Sequence, residues 1–439
     1  MCAPEPLLER REPLELLTAE AARARTGSGR LVLLRGATGT GRTALLEAAA
    51  GHAAANGMRV LRARCSPEHR SVPFGTVFQL LSHGPEFDQA AGEAPDPPGT
   101  QPHRGRPARL WRLLRSYAAE SPLLVAVDDA HLADLPSRRW LAEAVRRLDR
   151  LPVLLVVTER SQYDIDPPAD GFAHALSPAL VHTRTLAPLS PDAGARLVRS
   201  VHGDAPPDWV DACLRAGAGS PLLLRALLSD LRDSAPGALP AAFPDTCAAL
   251  YPGTYAAAVS WWLDSAGPAT TGVARALAAL DDEGTPADAD LLARTADADA
   301  ARVPGWLTAM TRLGLLRPDA GGRPRYAHPL LRDAVLGGWA GADRQAAHRR
   351  AAEAMLHRGD PAEAVAGQLL RSGPVGEAWA TAALLDAADL AVRADRSEDA
   401  LAHLRRALDE PMPAARRTVV LTELGSLEYA TVRSSAGIP

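Results

Sequence analysis

The sequence contains no lysine, so all 48 basic side chains among its 439 residues are arginine. Alanine is also used heavily, and the two biases together have the look of GC-rich coding. Cysteine is scarce. Cys2, Cys65, Cys213 and Cys247 lie far apart with no C-x-x-C spacing, which argues against a zinc site or disulfide framework and fits a reducing cytoplasm. The net charge of −4 offers no global basic field, so strong nucleic-acid binding is not expected. No run reaches the about 18 apolar residues of a membrane span. Glu5, Glu9, Arg10, Arg11 and Glu12 crowd the first dozen residues without a following apolar segment, unlike a secretory signal. What is present is 47% hydrophobic residues, a soluble composition with room for two to four domains of about 100–200 residues each.

The most informative stretch is Arg30–Arg35 followed by Gly36-Ala37-Thr38-Gly39-Thr40-Gly41-Arg42-Thr43. A short apolar run bounded by charge predicts a buried strand. The spacing G-x-x-x-x-G-[basic]-T then opens a helix-like run from Ala44. Strand, glycine loop and helix in that order form a P-loop, whose backbone N–H groups and helix N-terminus close around phosphates. Gly36 through Ala44 are therefore candidate nucleotide-binding residues. One position departs from the pattern: Arg42 stands where a P-loop carries lysine.

The second informative stretch is Pro122–His131, five apolar residues running into Asp128-Asp129. A buried parallel strand ending in acids is a Walker-B pattern, and ligands of open α/β sheets bind outside such carboxyl ends. Thr43 and Asp128 would supply oxygen ligands to Mg²⁺, leaving other positions to phosphates and water. Asp129 would orient or deprotonate an attacking water. A further buried strand, Leu151–Arg160, ends in an arginine placed to contact a γ-phosphate, with Arg42 the other candidate for transition-state charge. Strands near Arg59–Cys65 and Val181–Leu186 complete an alternating β/α pattern and a five-stranded parallel sheet. Helices are expected over 6–25, 74–81 and 108–118, and a surface loop over 84–106.

Beyond Ser190 the strand signals stop. Helices at 191–201, 207–216 and 221–232 suggest a small lid, with Gly219-Ser220-Pro221 opening the last. Pro236, Pro240, Pro244 and Pro252 mark a linker. Three helices over 273–313 and a two-strand wing (Leu315–Arg317, Arg325–His328) suggest a winged helix. Its third helix, with Trp306, Leu307, Met310 and Leu313, has too few basic residues for groove reading. Leu384, Ala387, Ala388, Ala400, Leu404 and Ala407 match a tetratricopeptide unit, and Leu424, Gly425 and Tyr429 resemble the start of another. Such arrays need about three units to bury their faces, so the end is expected to be truncated or completed by something else.

Taken together, these pieces resemble the STAND-class signal-transduction ATPases, and more narrowly the N-terminal part of the large ATP-binding LuxR-type (LAL) transcriptional regulators. The carrying residues are Leu7-Leu8-Glu9-Arg10, the loop at 36–43, Val127–His131 with Asp134, Arg160, Gly219-Ser220-Pro221 and Arg325–Leu330. The resemblance implies an ASCE/AAA-like P-loop domain over 1–187, a helical lid over 188–235, a linker over 236–265, a winged-helix domain over 266–340 and TPR-like helices over 341–439. It further implies that Arg10 lies near the adenine, that Pro221 packs near base and ribose, and that His328 touches the β-phosphate of ADP.

The implied activity is an ATP/ADP-dependent cytoplasmic switch using Mg²⁺, answering a small-molecule or protein inducer and self-associating in the ATP state. Two departures stand out. Arg42 should slow or abolish hydrolysis, leaving at most a slow ATPase. The family's DNA-binding helix-turn-helix is missing, so direct DNA binding by the residues present is not expected. The alternative is a non-catalytic interaction or scaffold protein with a degenerate P-loop and a helical partner-binding surface.

Overall fold

The computed structural model describes residues 7–82, 87, 105–166, 172, 176–234, 242–282 and 287–435. It separates into two compact units, one of residues 1–162 with 167–228 and one of 163–166 with 229–439. In the first unit, helix α1 (Arg11–Arg25) leads into β1 (Arg30–Gly36), α2 (Arg42–Ala55), β2 (Arg59–Arg64), α3 (Gly75–Leu81) and α4 (Arg106–Glu120). Then follow β3 (Leu123–Asp128), α5 (Leu135–Val145), β4 (Val153–Arg160) and β5 (Val181–Leu186), with α6 (Pro191–Val201), α7 (Pro207–Gly217) and the start of α8 (Pro221–Ser234). The loop expected over 84–106 lies almost wholly outside the described residues.

All five strands are parallel, in the order β2-β3-β4-β1-β5. Alternate residues face opposite sides, so the continuous apolar runs serve two cores at once. Leu31, Leu33, Val125, Val127, Leu155 and Val157 join a cluster with residues of α3, α4 and α5. Val32, Leu34, Leu124, Ala126, Leu154 and Val156 join another with α1 and α2. The edge strand β5 is mostly exposed and has no such run. One order matters for the site: β4 sits between β1 and β3, so its C-terminal residues separate the glycine loop from the Asp128-Asp129 end.

Asp134 is a structural anchor. Buried at 2% exposure, it caps α5 by accepting from Ser137 N (2.9 Å) and also accepts from Phe74 N (2.8 Å) and Thr76 N (3.3 Å) at the start of α3.

In the second unit, helix α9 (Thr254–Ala266) occupies the latter part of the stretch expected as linker. Its first amides, Thr254 N and Tyr255 N, donate to the fully buried Asp230 carboxylate at 2.9 and 2.8 Å. Helices α10 (Pro268–Asp282), α11 (Ala289–Ala296) and α12 (Val303–Arg312) precede an antiparallel pair, β6 (Leu316–Pro318) and β7 (Pro324–Tyr326). Tyr326 Oη donates to Ala274 O (2.7 Å), fixing that hairpin to α10. Trp306 and Met310 of α12 are each 1% exposed, so this helix spends its apolar face on packing.

Helices α13 (Pro329–Leu336), α14 (Gly341–Arg358), α15 (Ala362–Leu369), α16 (Ala378–Arg393), α17 (Ser397–Ala407) and α18 (Ala414–Ser435) complete the chain. From α14 onward each packs on the next. The alanines and leucines singled out in α16 and α17 are all buried, and the alanines allow close helix approach. A polar staple holds the turn between α15 and α16. Arg406 Nε donates to Leu369 O (3.0 Å), its Nη2 donates to Gly373 O (2.8 Å), and it pairs with Glu410 at 2.9 Å. Glu410, 1% exposed, accepts from Val375 N and Gly376 N. Burial pushes its carboxyl up, but those amides and Arg406 outweigh burial and hold it below the usual carboxylate range.

Removing one partner of a buried, hydrogen-bonded ion pair strands the other, so Glu410→Ala is expected to cost about 3 kcal/mol of stability. Urea unfolding followed by circular dichroism checks this; Glu410→Gln, which keeps an acceptor, should lose less.

Candidate nucleotide site

The glycine loop is shaped by close approach as much as by backbone freedom. A Cβ on Gly36 would lie 2.6 Å from Thr40 Oγ1, and one on Gly39 would lie 2.5 Å from Ser220 Oγ. Gly39 and Gly41 take φ of +82° and +91°, a region costly for other residues. Ala37, Thr38 and Thr40 are buried in the loop, while Ala44 is exposed on the first turn of α2.

Three segments grip this loop. Arg10, 6% exposed, donates from Nη2 to Thr40 O (2.9 Å) and Ala187 O (2.7 Å). Its neighbour Glu9 accepts from Ser190 N (2.9 Å) and from the Ser190 hydroxyl, and these bonds pull its carboxyl below the usual range. Ser220 Oγ and Leu222 N both donate to Gly39 O at 3.3 Å, so Pro221 begins α8 directly against the loop. Thr38 N donates to Gln162 Oε1 (3.3 Å).

At the strand ends, Asp128 (5% exposed) is held by two hydroxyls: Thr43 Oγ1 donates to its Oδ2 at 2.9 Å and Thr158 Oγ1 to its Oδ1 at 2.6 Å. Thr158 also accepts from Asp129 N at 2.7 Å. That bond stabilises Asp129 at φ +51°, a left-handed conformation unusual outside glycine. Arg42, 8% exposed, points its Nη2 at Asp129 Oδ1, 3.1 Å away. Burial raises the Asp129 carboxyl above the usual range against the pull of Arg42. Burial likewise lowers Arg42, against Asp129 and Asp128. A guanidinium stays charged through such a shift, so Arg42 presents a cation to Asp129.

The residues present fit a Mg²⁺ nucleotide. Arg42 Nη1 is buried without a hydrogen-bond partner among the described residues, a donor aimed at no protein acceptor. The glycine cradle cannot accept a Cβ at Gly36 or Gly39, and Thr43 with Asp128 forms a hard-oxygen pair suited to Mg²⁺.

The expected site residues of the first unit thus converge: Arg10, the loop at 36–43, Asp128, Asp129 and Pro221. Arg160 ends β4, where its N–H donates to His131 Nδ1 (3.4 Å) and its guanidinium acts electrostatically on Arg42. His328 belongs to the second unit. Its Nδ1 accepts from Leu330 N (3.1 Å), capping α13, and its ring meets Phe243 edge-on at 5.0 Å. Sequence reasoning missed Thr158 and Gln162. A lone threonine before the charged end of an apolar strand was the available signal for the first; nothing local marked the second.

Residues 6–157 match the AAA ATPase domain family. An uncharacterized protein of Rhizobium meliloti (strain 1021) is 32% identical over 122 residues, 27% of this chain and 11% of that protein. The chain therefore spans about a tenth of that relative. Among solved structures, a STAND protein with a tetratricopeptide repeat sensor from Pyrococcus horikoshii aligns over 97% of this chain and 62% of its own (13% identity, TM-score 0.35). Cdc6p from Pyrobaculum aerophilum aligns over 80% and 96% (12% identity, TM-score 0.39). RuvB of Thermotoga maritima aligns over 72% and 92% (13% identity, TM-score 0.38). Scores this low carry no argument about function. Among the described residues no helix is long and apolar enough to cross a membrane.

His131 gives the site a pH signature. Burial first, then Arg42, Arg160 and Arg70, push its imidazole from the ordinary 6.5 down to about 3. Below pH 6.5 the unfolded chain takes up a proton that the folded chain refuses, so this stability is present above 6.5 and lost as pH falls toward 3. The expected loss is up to about 1.4 kcal/mol per pH unit. Thermal melts across pH 7 to 5 should show a shallower decline for His131→Asn than for the parent protein.

Proposed function

We propose that the chain is an ATP/ADP-binding regulatory switch with slow or absent hydrolysis. The observation that carries this reading is the Arg42–Asp129 pair, in which the loop's basic residue is joined to the acid expected to handle the attacking water. A bound Mg²⁺ nucleotide supplies phosphates and a hard cation. The loop residues Gly36–Ala44 surround those phosphates with backbone N–H groups that do not depend on the side chain at position 42. Thr43 and Asp128 hold the cation. Asp129 must leave Arg42, or share it, before it can accept a proton from water. Arg160 reads charge near the β4 end.

The grip of Arg10, Ser220 and Leu222 on the loop supports a form in which the N-terminal segment and the α6–α8 helices are closed over it. On this reading ADP favours that form, and exchange for ATP loosens it through contacts made by the extra phosphate. His328, the winged-helix-like segment and the TPR-like helices then belong to a LuxR-type (LAL) regulator architecture. Its inducer is a small molecule or protein, its active form is an ATP-dependent homo-oligomer, and its place is the cytoplasm. Direct DNA contact is not assigned to the residues present. A scaffold role for the helical end is favoured by one feature, the exposed apolar residues Val419, Leu421 and Tyr429 of α18.

Nucleotide-stripped protein should bind both ADP and ATP with Kd below about 100 μM. Turnover should stay slower than about 0.01 per second. Arg42→Lys should free Asp129 and raise turnover at least about tenfold, whereas Asp129→Ala in that background should remove the gain. Calorimetry and phosphate release measure these. Absence of binding at millimolar nucleotide would favour the scaffold; unchanged binding and turnover in Arg42→Lys would overturn the role given to Arg42.

A further inference from the structure

The second unit contains a cavity of about 490 Å³ bounded by the end of α9, the first turns of α10, the end of α11, Trp339 and the first half of α14. That volume lies within the range of pockets that enclose small organic ligands. It shares no residue with the nucleotide site of the first unit, and no motif read from the sequence accounts for it.

Its walls carry a specific chemistry. Arg275 of α10 lies over the Trp339 ring, its guanidinium carbon 5.9 Å from the ring centre, so a cation and an aromatic ring form one stacked wall. Arg350 of α14, an exposed residue at the rim, donates from Nε to Thr295 O (2.8 Å), which anchors its stem. The α10 helix begins in the wall at Gly267 and Pro268, bringing the positive end of a 15-residue helix to the same place. Two wall atoms, Arg275 Nε and Thr295 Oγ1, are buried without a hydrogen-bond partner among the described residues. Thr295 is 2% exposed, so its hydroxyl carries an uncompensated desolvation cost that a short rotation toward a bound acceptor would relieve. The two acids of the lining, Asp264 and Asp343, are exposed and solvated.

We infer that this cavity is a binding site for a small organic anion with a planar apolar body, its carboxylate or phosphate held by Arg275, Arg350 and Thr295 and its ring against the Arg275–Trp339 stack. A guanidinium fork suits carboxylate and phosphate alike. The inference does not rest on the nucleotide reading, because every residue it uses lies in the second unit.

The test uses the full chain with benzoate and phenyl phosphate as probes, and benzylamine as the cation of similar shape. Titration calorimetry should give one saturable site for each anion with Kd at or below about 1 mM, and none for benzylamine. Arg275→Gln and Trp339→Ala should each weaken anion binding about tenfold or more. Asp343→Asn, an exposed change with little folding risk, should preserve or tighten it. ADP binding by the same preparations reports separately on the first unit. Failure of either anion to saturate, equal binding of benzylamine, or unchanged affinity in both Arg275→Gln and Trp339→Ala would overturn the assignment.

Discussion

The carboxylate of Asp128, shared between the hydroxyls of Thr43 and Thr158, is the contact on which the first unit's site depends. It joins three elements not contiguous in sequence: the helix after the glycine loop, the end of β3 and the end of β4. The strand order makes it necessary. With β4 inserted between β1 and β3, the ends of those two strands stand two strand spacings apart, about 10 Å. Thr43 reaches across from the first turn of α2, and a side chain from β4 completes the hold on the acids. Thr158 does so with one hydroxyl that donates to Asp128 and accepts from Asp129 N, fixing both acids.

Arg42 acts within that frame and not upon it. The cradle is made of backbone, and its shape is enforced by Thr40, Ser220 and Leu222 around glycines that admit no Cβ. A longer basic side chain leaves this intact and alters what happens at the chemistry end, where the guanidinium reaches Asp129. On the proposed reading, binding and turnover rest on different atoms. Small misplacements cost large rate factors at a reacting centre, but little in a cradle of many backbone donors.

The elements that could be read from the sequence were those whose pattern is complete over a few residues. The apolar runs of β1, β3 and β4 and the spacing from Gly36 to Thr43 are of this kind, and both lie where expected. What escaped were contacts closed by tertiary folding. Gln162 meets Thr38 N across 124 positions and Arg10 meets Ala187 O across 177, and each of these partners is a backbone group, which composition does not mark. Helix α9 was hidden by the prolines and glycine before it. Its start depends on Asp230, twenty-four residues upstream, which supplies the acceptor that a local cap residue would otherwise provide. Asp134 matched a motif, yet its work is to cap α5 and tie down α3, a role the motif does not express.

The missing lysine also explains how distant segments are tied. An ammonium is a compact point charge, whereas a guanidinium offers five donors in a planar fork. Arg10 uses one nitrogen to bridge the carbonyls of Thr40 and Ala187, Arg406 spans those of Leu369 and Gly373, and Arg350 and Arg302 bind those of Thr295 and Asp164. Each such arginine ends a chain segment whose carbonyls would otherwise need water or a cap. In this chain the basic residue that links elements and the basic residue of the phosphate loop are of one type. Arg42 and Arg406 each keep one buried terminal nitrogen without a hydrogen-bond partner among the described residues, but that of Arg42 lies beside the glycine loop and the acids of β3.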